Sequence, residues 1–222
     1  MSPGSLERNM QVEIILIRHG DPDYANDTLT PIGHKEAKQL ARFLADKPMD
    51  AIFQSPNGRA RHTCDYTAKI KGIEPVTLDW LREVGIMRGD LYLWNAPGPL
   101  FLNDSPLPDY ENCLEPHGAM PEGKAQFDRV SKGFDEVLAL YGYIKEGHLY
   151  RIESANDKTL VFFCHHGVTV TLLSYLIHWP LPLTFVHSSI DPTGTTRLRM
   201  VEHNGFAHPK MISFNSLAHL GY

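Results

Sequence analysis

The sequence predicts an α/β domain with a mainly parallel central sheet, and three observations carry that expectation. The runs 12–17 and 159–164 are short and almost uninterrupted in apolar residues, the pattern of strands buried on both faces. Helical spacing of apolar residues follows, as at Ala37, Leu40, Ala41 and Leu44. Strand-like and helix-like segments alternate along the chain, as they do where crossover helices pack on a parallel sheet.

In order, 12–17 is the first strand. Thr30-Pro31 reads as a helix start, with Thr30 as N-cap and Pro31 in the first turn, where a missing N–H is harmless. Ala51-Ile52-Phe53 is a second strand, stopping at Gln54-Ser55-Pro56, and a helix is expected over about 58–70. Residues 75–78 form a third short strand that leads into Trp80-Leu81-Arg82-Glu83. From 85 to 121 the periodicity dissolves. Pro97, Gly98, Pro99, Pro106 and Pro108 punctuate this stretch, and Tyr92, Trp94, Phe101 and Tyr110 are scattered through it. So long an irregular stretch is uncommon in a compact domain, and a linker has no need of aromatics. It is expected to be an insertion packing as a cap. Phe127, Val130, Phe134, Val137, Leu138 and Tyr141 mark a core-facing helix. A mostly apolar helix follows the 159–164 strand to about His178, and 196–201 and 210–214 are closing strands.

A length of 222 residues suits one domain with a sizeable insertion. The expected organisation is a disordered lead-in over 1–10 and a single domain over 11–222, with the cap insertion at about 85–121. The formal net charge of -5 gives no electrostatic footprint for nucleic acid, so an anionic ligand must be met by local cations. No uncharged apolar stretch is long enough to span a membrane. Cys64, Cys113 and Cys164 form no CxxC pair, which suits a reduced, cytoplasmic protein. His203 and His208 lack metal-ligand spacing, and neither a metal nor another cofactor is expected.

Two strands end in His-Gly: His19-Gly20, preceded by Arg18, and His166-Gly167, preceded by His165. A third ends in Ser55-Pro56 and leads to Arg59. Open α/β sheets place their ligand crevice at the carboxyl ends of strands. Three strand ends therefore deliver His, His and Arg to one edge, an anion pocket to which the helix after Gly167 would add free N–H groups. Arg59 and Arg61 lie about 200° apart on a helix and cannot both face it. His165 and His166 point to opposite faces of a strand; His166, directly before the glycine, is the expected pocket residue and His165 a structural one.

Five ordered blocks resemble the signature of the histidine phosphatase superfamily, also called phosphoglycerate mutase-like. They are Arg18-His19-Gly20, Leu29-Thr30-Pro31-Ile32-Gly33 with Glu36-Ala37, Ser55-Pro56 with Arg59-Ala60 and Thr63, Leu81-Arg82-Glu83, and His166-Gly167. Residues 215–220 also look like that family's usual ending. The resemblance implies a three-layer α/β/α sandwich of the phosphoglycerate mutase type around a mainly parallel sheet. It implies that His19 is the nucleophile, forming a phosphohistidine, and that Arg18, Arg59 (rather than Arg61) and His166 bind the phosphoryl oxygens. Glu83 would donate the proton to the leaving alkoxide, and no metal would be required. The chemistry is coherent: phosphoryl transfer spreads charge over oxygens that positioned cations stabilise, and the planar arginine fork binds two oxygens at once. A neutral His19 needs an acceptor on its other ring nitrogen, in this family usually a backbone carbonyl. An ordinary Glu titrates at about 4.3, so burial or the substrate's charge has to raise Glu83.

Asp21 is a rival acid, or else helps position the pocket; Asp21, Asn26 and Gly167 are the expected substrate-binding positions. The segment 21–26 leads almost directly to Leu29-Thr30, whereas phosphoglycerate mutases carry a longer segment there. This favours a phosphatase. Arg88, Tyr92 and Trp94 would read the leaving group or merely pack the cap. The expected activity is metal-independent hydrolysis of a small phosphorylated metabolite or a phosphoprotein. Mutase-type phosphoryl transfer and a non-catalytic phospho-ligand binding module are the alternatives. No nucleic acid or membrane partner is expected, and a homodimer is left open.

Overall fold

A computed structural model describes residues 11–114 and 123–222. The expected lead-in over 1–10 and residues 115–121 of the expected insertion lie outside them. Strand β1 (Glu13–Arg18) is followed by a small ribbon of β2 (Pro22–Asp23) and β3 (Thr28–Leu29), then α1 (Pro31–Leu44), β4 (Ala51–Gln54), α2 (Gly58–Lys71) and β5 (Val76–Thr77). A second ribbon, β6 (Met87–Arg88) with β7 (Leu91–Tyr92), and the short α3 (Pro99–Leu102) precede α4 (Gly123–Leu140). The chain continues through the hairpin β8 (Tyr143–Glu146) and β9 (Leu149–Ile152), β10 (Thr159–Cys164), α5 (His166–Ile177), α6 (Leu181–His187), β11 (Thr195–His203) and β12 (Phe206–Ser216).

The main sheet has the order β5-β4-β10-β1-β11-β12-β9-β8. Pairing is parallel from β5 to β1 and antiparallel beyond it, so only β11 and β9 run against the other strands. Side-chain alternation in the central strands separates two cores. Ile15, Ile17, Ile52, Val161 and Phe163 meet Leu40, Leu44, Cys64 and Ala68 of α1 and α2. Ile14, Leu16, Phe53, Leu160 and Phe162 meet Phe127, Val130 and Phe134 of α4 and Val168 and Leu172 of α5. The result is a three-layer α/β/α sandwich. Each such side chain contributes about 1.5–3 kcal/mol on leaving water, which holds β1 and β10 firmly side by side.

Local sequence sets the helix ends. The Thr30 hydroxyl accepts from Gly33 N–H at 3.1 Å and Pro31 opens α1, as the sequence predicts. Gly72 closes α2 with φ 64°.

Two elements escape the sequence reading. The β8–β9 hairpin is dense in Lys, Glu, Arg and His, yet it buries Tyr143 and Tyr150 completely. Helix α6 begins at a Pro-Leu-Pro run that reads as a breaker. The insertion also has more order than its composition implies. Its Leu93, Phe101 and Cys113 join the larger core, and it rests on α6, where Gly98 approaches Val186.

Candidate functional site

His19 continues β1 by one residue. Its N–H donates to the Cys164 carbonyl at 3.0 Å, and its own carbonyl accepts from Thr193 N–H at 3.1 Å. The ring is 1 % exposed, and its Nδ1 lies 2.8 Å from the Gly20 carbonyl. A nitrogen facing a carbonyl must carry the hydrogen, so Nε2 keeps its lone pair. Burial pushes the His19 pKa down to about 3, and the charges of Arg18 and Arg59 reinforce burial against the Gly20 bond and Asp27. The imidazole is thus neutral at ordinary pH, with one nitrogen ready to attack. Gly20 must be glycine because a Cβ there would come 2.8 Å from the Gly33 carbonyl of α1; its N–H donates to Thr63 Oγ1 at 2.9 Å.

The two arginines reach the site by different routes. Arg18 closes β1, and its Nη1 donates to the Ile190 carbonyl. Arg59 sits in the first turn of α2, 2.6 Å from Asp27 Oδ1, with its side chain 11 % exposed and its guanidinium 5.5 Å from the Tyr24 ring centre. Asp27, which the sequence reading did not single out, also accepts from Gly58 N–H at 2.6 Å. Burial raises its pKa, but the Gly58 N–H and Arg59 outweigh that and hold it below the usual carboxylate value. One carboxylate therefore caps α2 and aims Arg59. Its trace is Gly58, where a Cβ would strike the Asp27 carbonyl at 2.1 Å.

The residues after β10 complete the ring. His165 is fully buried, its Nε2 lies 2.8 Å from Ser55 Oγ, and its ring centre stands 5.2 Å from that of His19. The expected structural histidine thus also packs against His19. His166 opens α5 against Phe185, and burial together with the Arg18 charge lowers its pKa to about 4.

Glu83 follows a 3-10 turn and accepts from Val84 N–H at 2.9 Å, Val168 N–H at 3.2 Å and Gly167 N–H at 3.4 Å. This narrows one expectation: the N–H groups of Gly167 and Val168 in the first turn of α5 are met by Glu83. Gly167 makes that possible, since a Cβ there would lie 2.7 Å from Glu83 Oε1. Burial raises the pKa of Glu83 despite those N–H groups and Arg59, the direction that a proton donor needs.

The other expected positions are engaged elsewhere. Asp21 Oδ2 accepts from the Thr30 hydroxyl at 2.5 Å and its N–H donates to Glu36 at 2.8 Å, which builds it into the start of α1. Asn26 is exposed and donates to Asp23 Oδ2 at 2.8 Å in a local turn. Arg61 is exposed. Arg88 turns into the insertion, onto the Leu100 carbonyl at 2.7 Å and Asp104 at 3.1 Å. Tyr92 and Trp94 stack with ring centres 4.4 Å apart, Tyr92 facing Gly85.

A loop between α6 and β11 backs His19. It supplies Ile190 O to Arg18, Gly194 O to Arg18 N–H at 3.2 Å, and Thr193 N–H to His19. Asn215 binds Asp191 twice, at 2.9 and 2.8 Å, and His219 Nε2 lies 2.8 Å from Thr193 Oγ1.

Among the described residues, the buried polar side-chain atoms without a partner include Arg18 Nε, Arg59 Nε and His165 Nδ1. A buried unsatisfied donor costs about 1–3 kcal/mol. Two such guanidinium donors around a neutral histidine are suited to a tetrahedral oxyanion. Among the described residues, no group of three or more His, Cys, Asp or Glu could hold a metal ion.

Residues 14–92 match the family model described as histidine phosphatase superfamily (branch 1). A Hydrogenobacter thermophilus protein named "Putative phosphoserine phosphatase 2" is 30% identical over 122 residues; the match covers 46% of this chain and 60% of that protein. Among solved structures, a phosphoserine phosphatase from Entamoeba histolytica, in complex with 3-phosphoglyceric acid, superposes with a TM-score of 0.63 at 24% identity. That match covers 94% of this chain and 99% of that one. A mycobacterial glucosyl-3-phosphoglycerate phosphatase gives a TM-score of 0.65 at 19% identity, over 92% and 98% of the two chains. At these identities the two structures speak for the fold.

Proposed function

Since residues 14–92 match the histidine phosphatase superfamily (branch 1) model, we propose that this chain is a member of that superfamily and hydrolyses phosphomonoesters through a phosphohistidine on His19. The observation that carries this is a neutral, buried His19 with Nδ1 fixed by Gly20 and under the charges of Arg18 and Arg59, two guanidinium groups with buried unpartnered donors, together with a buried Glu83 carboxyl of raised pKa that the Arg59 charge also reaches. Arg18, Arg59 and His166 would hold the phosphoryl oxygens. Nε2 of His19 forms a bond to phosphorus as the ester P–O bond breaks, and Glu83 gives its proton to the departing alkoxide. Water then attacks the phosphohistidine and yields its proton to the Glu83 carboxylate, which releases phosphate and restores His19. Positioned cations supply most of the stabilisation, and the acid supplies roughly 10²–10⁴-fold.

A phosphatase is favoured over a mutase by the tight β2–β3 turn that Asp23 and Asn26 close on themselves. The Hydrogenobacter thermophilus relative named "Putative phosphoserine phosphatase 2" supports a small phosphorylated metabolite as substrate. The test is hydrolysis of p-nitrophenyl phosphate in EDTA. Turnover is expected, with loss of more than about a thousandfold in His19→Ala. Persistent turnover in that variant would remove His19 from the reaction. Phosphate binding without turnover on any ester would leave a binding module, and transfer of the phosphoryl group to a second hydroxyl would restore the mutase reading.

A further inference from the structure

We propose that Arg129 of α4 is a positioning residue for the acid, holding with Gln126 the segment that carries Glu83; this rests on Glu83 being the proton donor. The Arg129 guanidinium donates from Nη1 to the carbonyls of Trp80 and Arg82, both at 3.1 Å, and to that of Asp79 at 3.4 Å. Its Nη2 donates to Arg82 again at 3.1 Å. Beyond Glu83, Gly85 N–H donates to Gln126 Oε1 at 2.5 Å. Residues three and four apart share a face of a helix, so Gln126, Arg129 and Gly133 form one track. The glycine admits the Trp80 ring, into which a Cβ would project at 2.2 Å. The order 133, 129, 126 along the helix matches the order 80, 82, 85 along the segment, and Glu83 lies between the two polar clamps.

The arrangement has a chemical purpose. Outward carbonyls of an irregular turn need donors, and a guanidinium is the strongest available and can meet several at once. With 82 and 85 both fixed, the Glu83 side chain has little freedom other than toward the first turn of α5, where Gly167 and Val168 receive it. Arg129 touches neither His19 nor the arginines of the pocket. Loss of the clamp leaves an ionisable carboxyl that is misplaced, and a shift of about 1 Å can cost on the order of a hundredfold.

Acid catalysis matters most for poor leaving groups, which gives a readout separate from folding. The measurement is kcat/KM for a series of substituted phenyl phosphates, from nitrophenyl to unsubstituted phenyl, on the wild-type chain and on Glu83→Gln, Arg129→Met, Arg129→Lys and Gln126→Ala. Wild type is expected to depend weakly on leaving-group acidity and Glu83→Gln steeply. Arg129→Met is expected to lose about tenfold or more on phenyl phosphate while staying within about threefold on the nitrophenyl ester, with Arg129→Lys partly restoring the loss. An Arg129→Met variant slowed equally across the series would overturn the proposal. A flat series in Glu83→Gln would instead overturn the acid assignment beneath it. If Arg129→Met does not fold, Arg129→Lys and Gln126→Ala decide by the same steepening or its absence.

Discussion

His19 is depressed chiefly by burial, with the neighbouring guanidiniums assisting, and that has a price in acid. The unfolded chain binds a proton at His19 near its ordinary value of 6.5, whereas the folded chain refuses it until about 3. Stability therefore rises with pH across that window and is lost as pH falls from about 6.5. His19 alone contributes a slope of up to about 1.4 kcal/mol per pH unit, and His166, held down to about 4, acts in the same direction. Urea unfolding followed from pH 7.0 to 4.5 is expected to give falling free energies, with a shallower fall in His19→Gln. Equal slopes in the two proteins would mean that the histidine is not held neutral by the fold. The same residue was the most legible in the sequence, since Arg18-His19-Gly20 ends an apolar run, whereas Asp27 was hidden. Nothing in a lone aspartate announces that it will aim an arginine 32 residues later. Only the close approach of two backbones, with Gly58 as its trace, marks the pair.

At the level of elements, the site is made where β1 and β10 end side by side, where α2 begins, and where the loop before β11 passes behind them. The strand ends and helix starts were readable because buried apolar runs and caps are local properties. That is why β1, α1 and β10 fall where the sequence places them. The β8–β9 hairpin was not, because its charges mask a period of two whose inward residues are tyrosines. The sequence offers the helix N-terminus behind Gly167 as an anion site, but Glu83 arrives there from 84 residues away, and no local pattern contains that information. Residues 215–219 brace the loop that holds both Arg18 and His19 in place. Asn215→Ala removes both contacts to Asp191 and is expected to cost about 1–3 kcal/mol, a drop in Tm of a few degrees. It should also lower kcat by about tenfold or more through misplacement of the pocket. Calorimetry alongside p-nitrophenyl phosphate turnover checks both, and a fall in Tm with unchanged kcat would confine the loop to a structural role.

Across the whole molecule, β1 lies on the seam between the parallel and antiparallel halves of the sheet, with β10 on one side and β11 on the other. Its first residue pairs with Thr159 and with Arg199. During synthesis, at about 5–20 residues per second, the strand that leads into His19 waits roughly seven to thirty seconds for its first neighbour. Through that interval Ile14-Ile15-Leu16-Ile17 is a bare β-forming stretch of the kind that seeks partners in other chains. Ribosome-arrested chains that stop short of residue 159 are expected to leave 13–18 open to hydrogen exchange and to a holding chaperone, and chains extended past 203 to protect it. Early protection would mean that β1 finds a temporary partner. Either way, His19 takes its place late, when the far half of the chain closes around it.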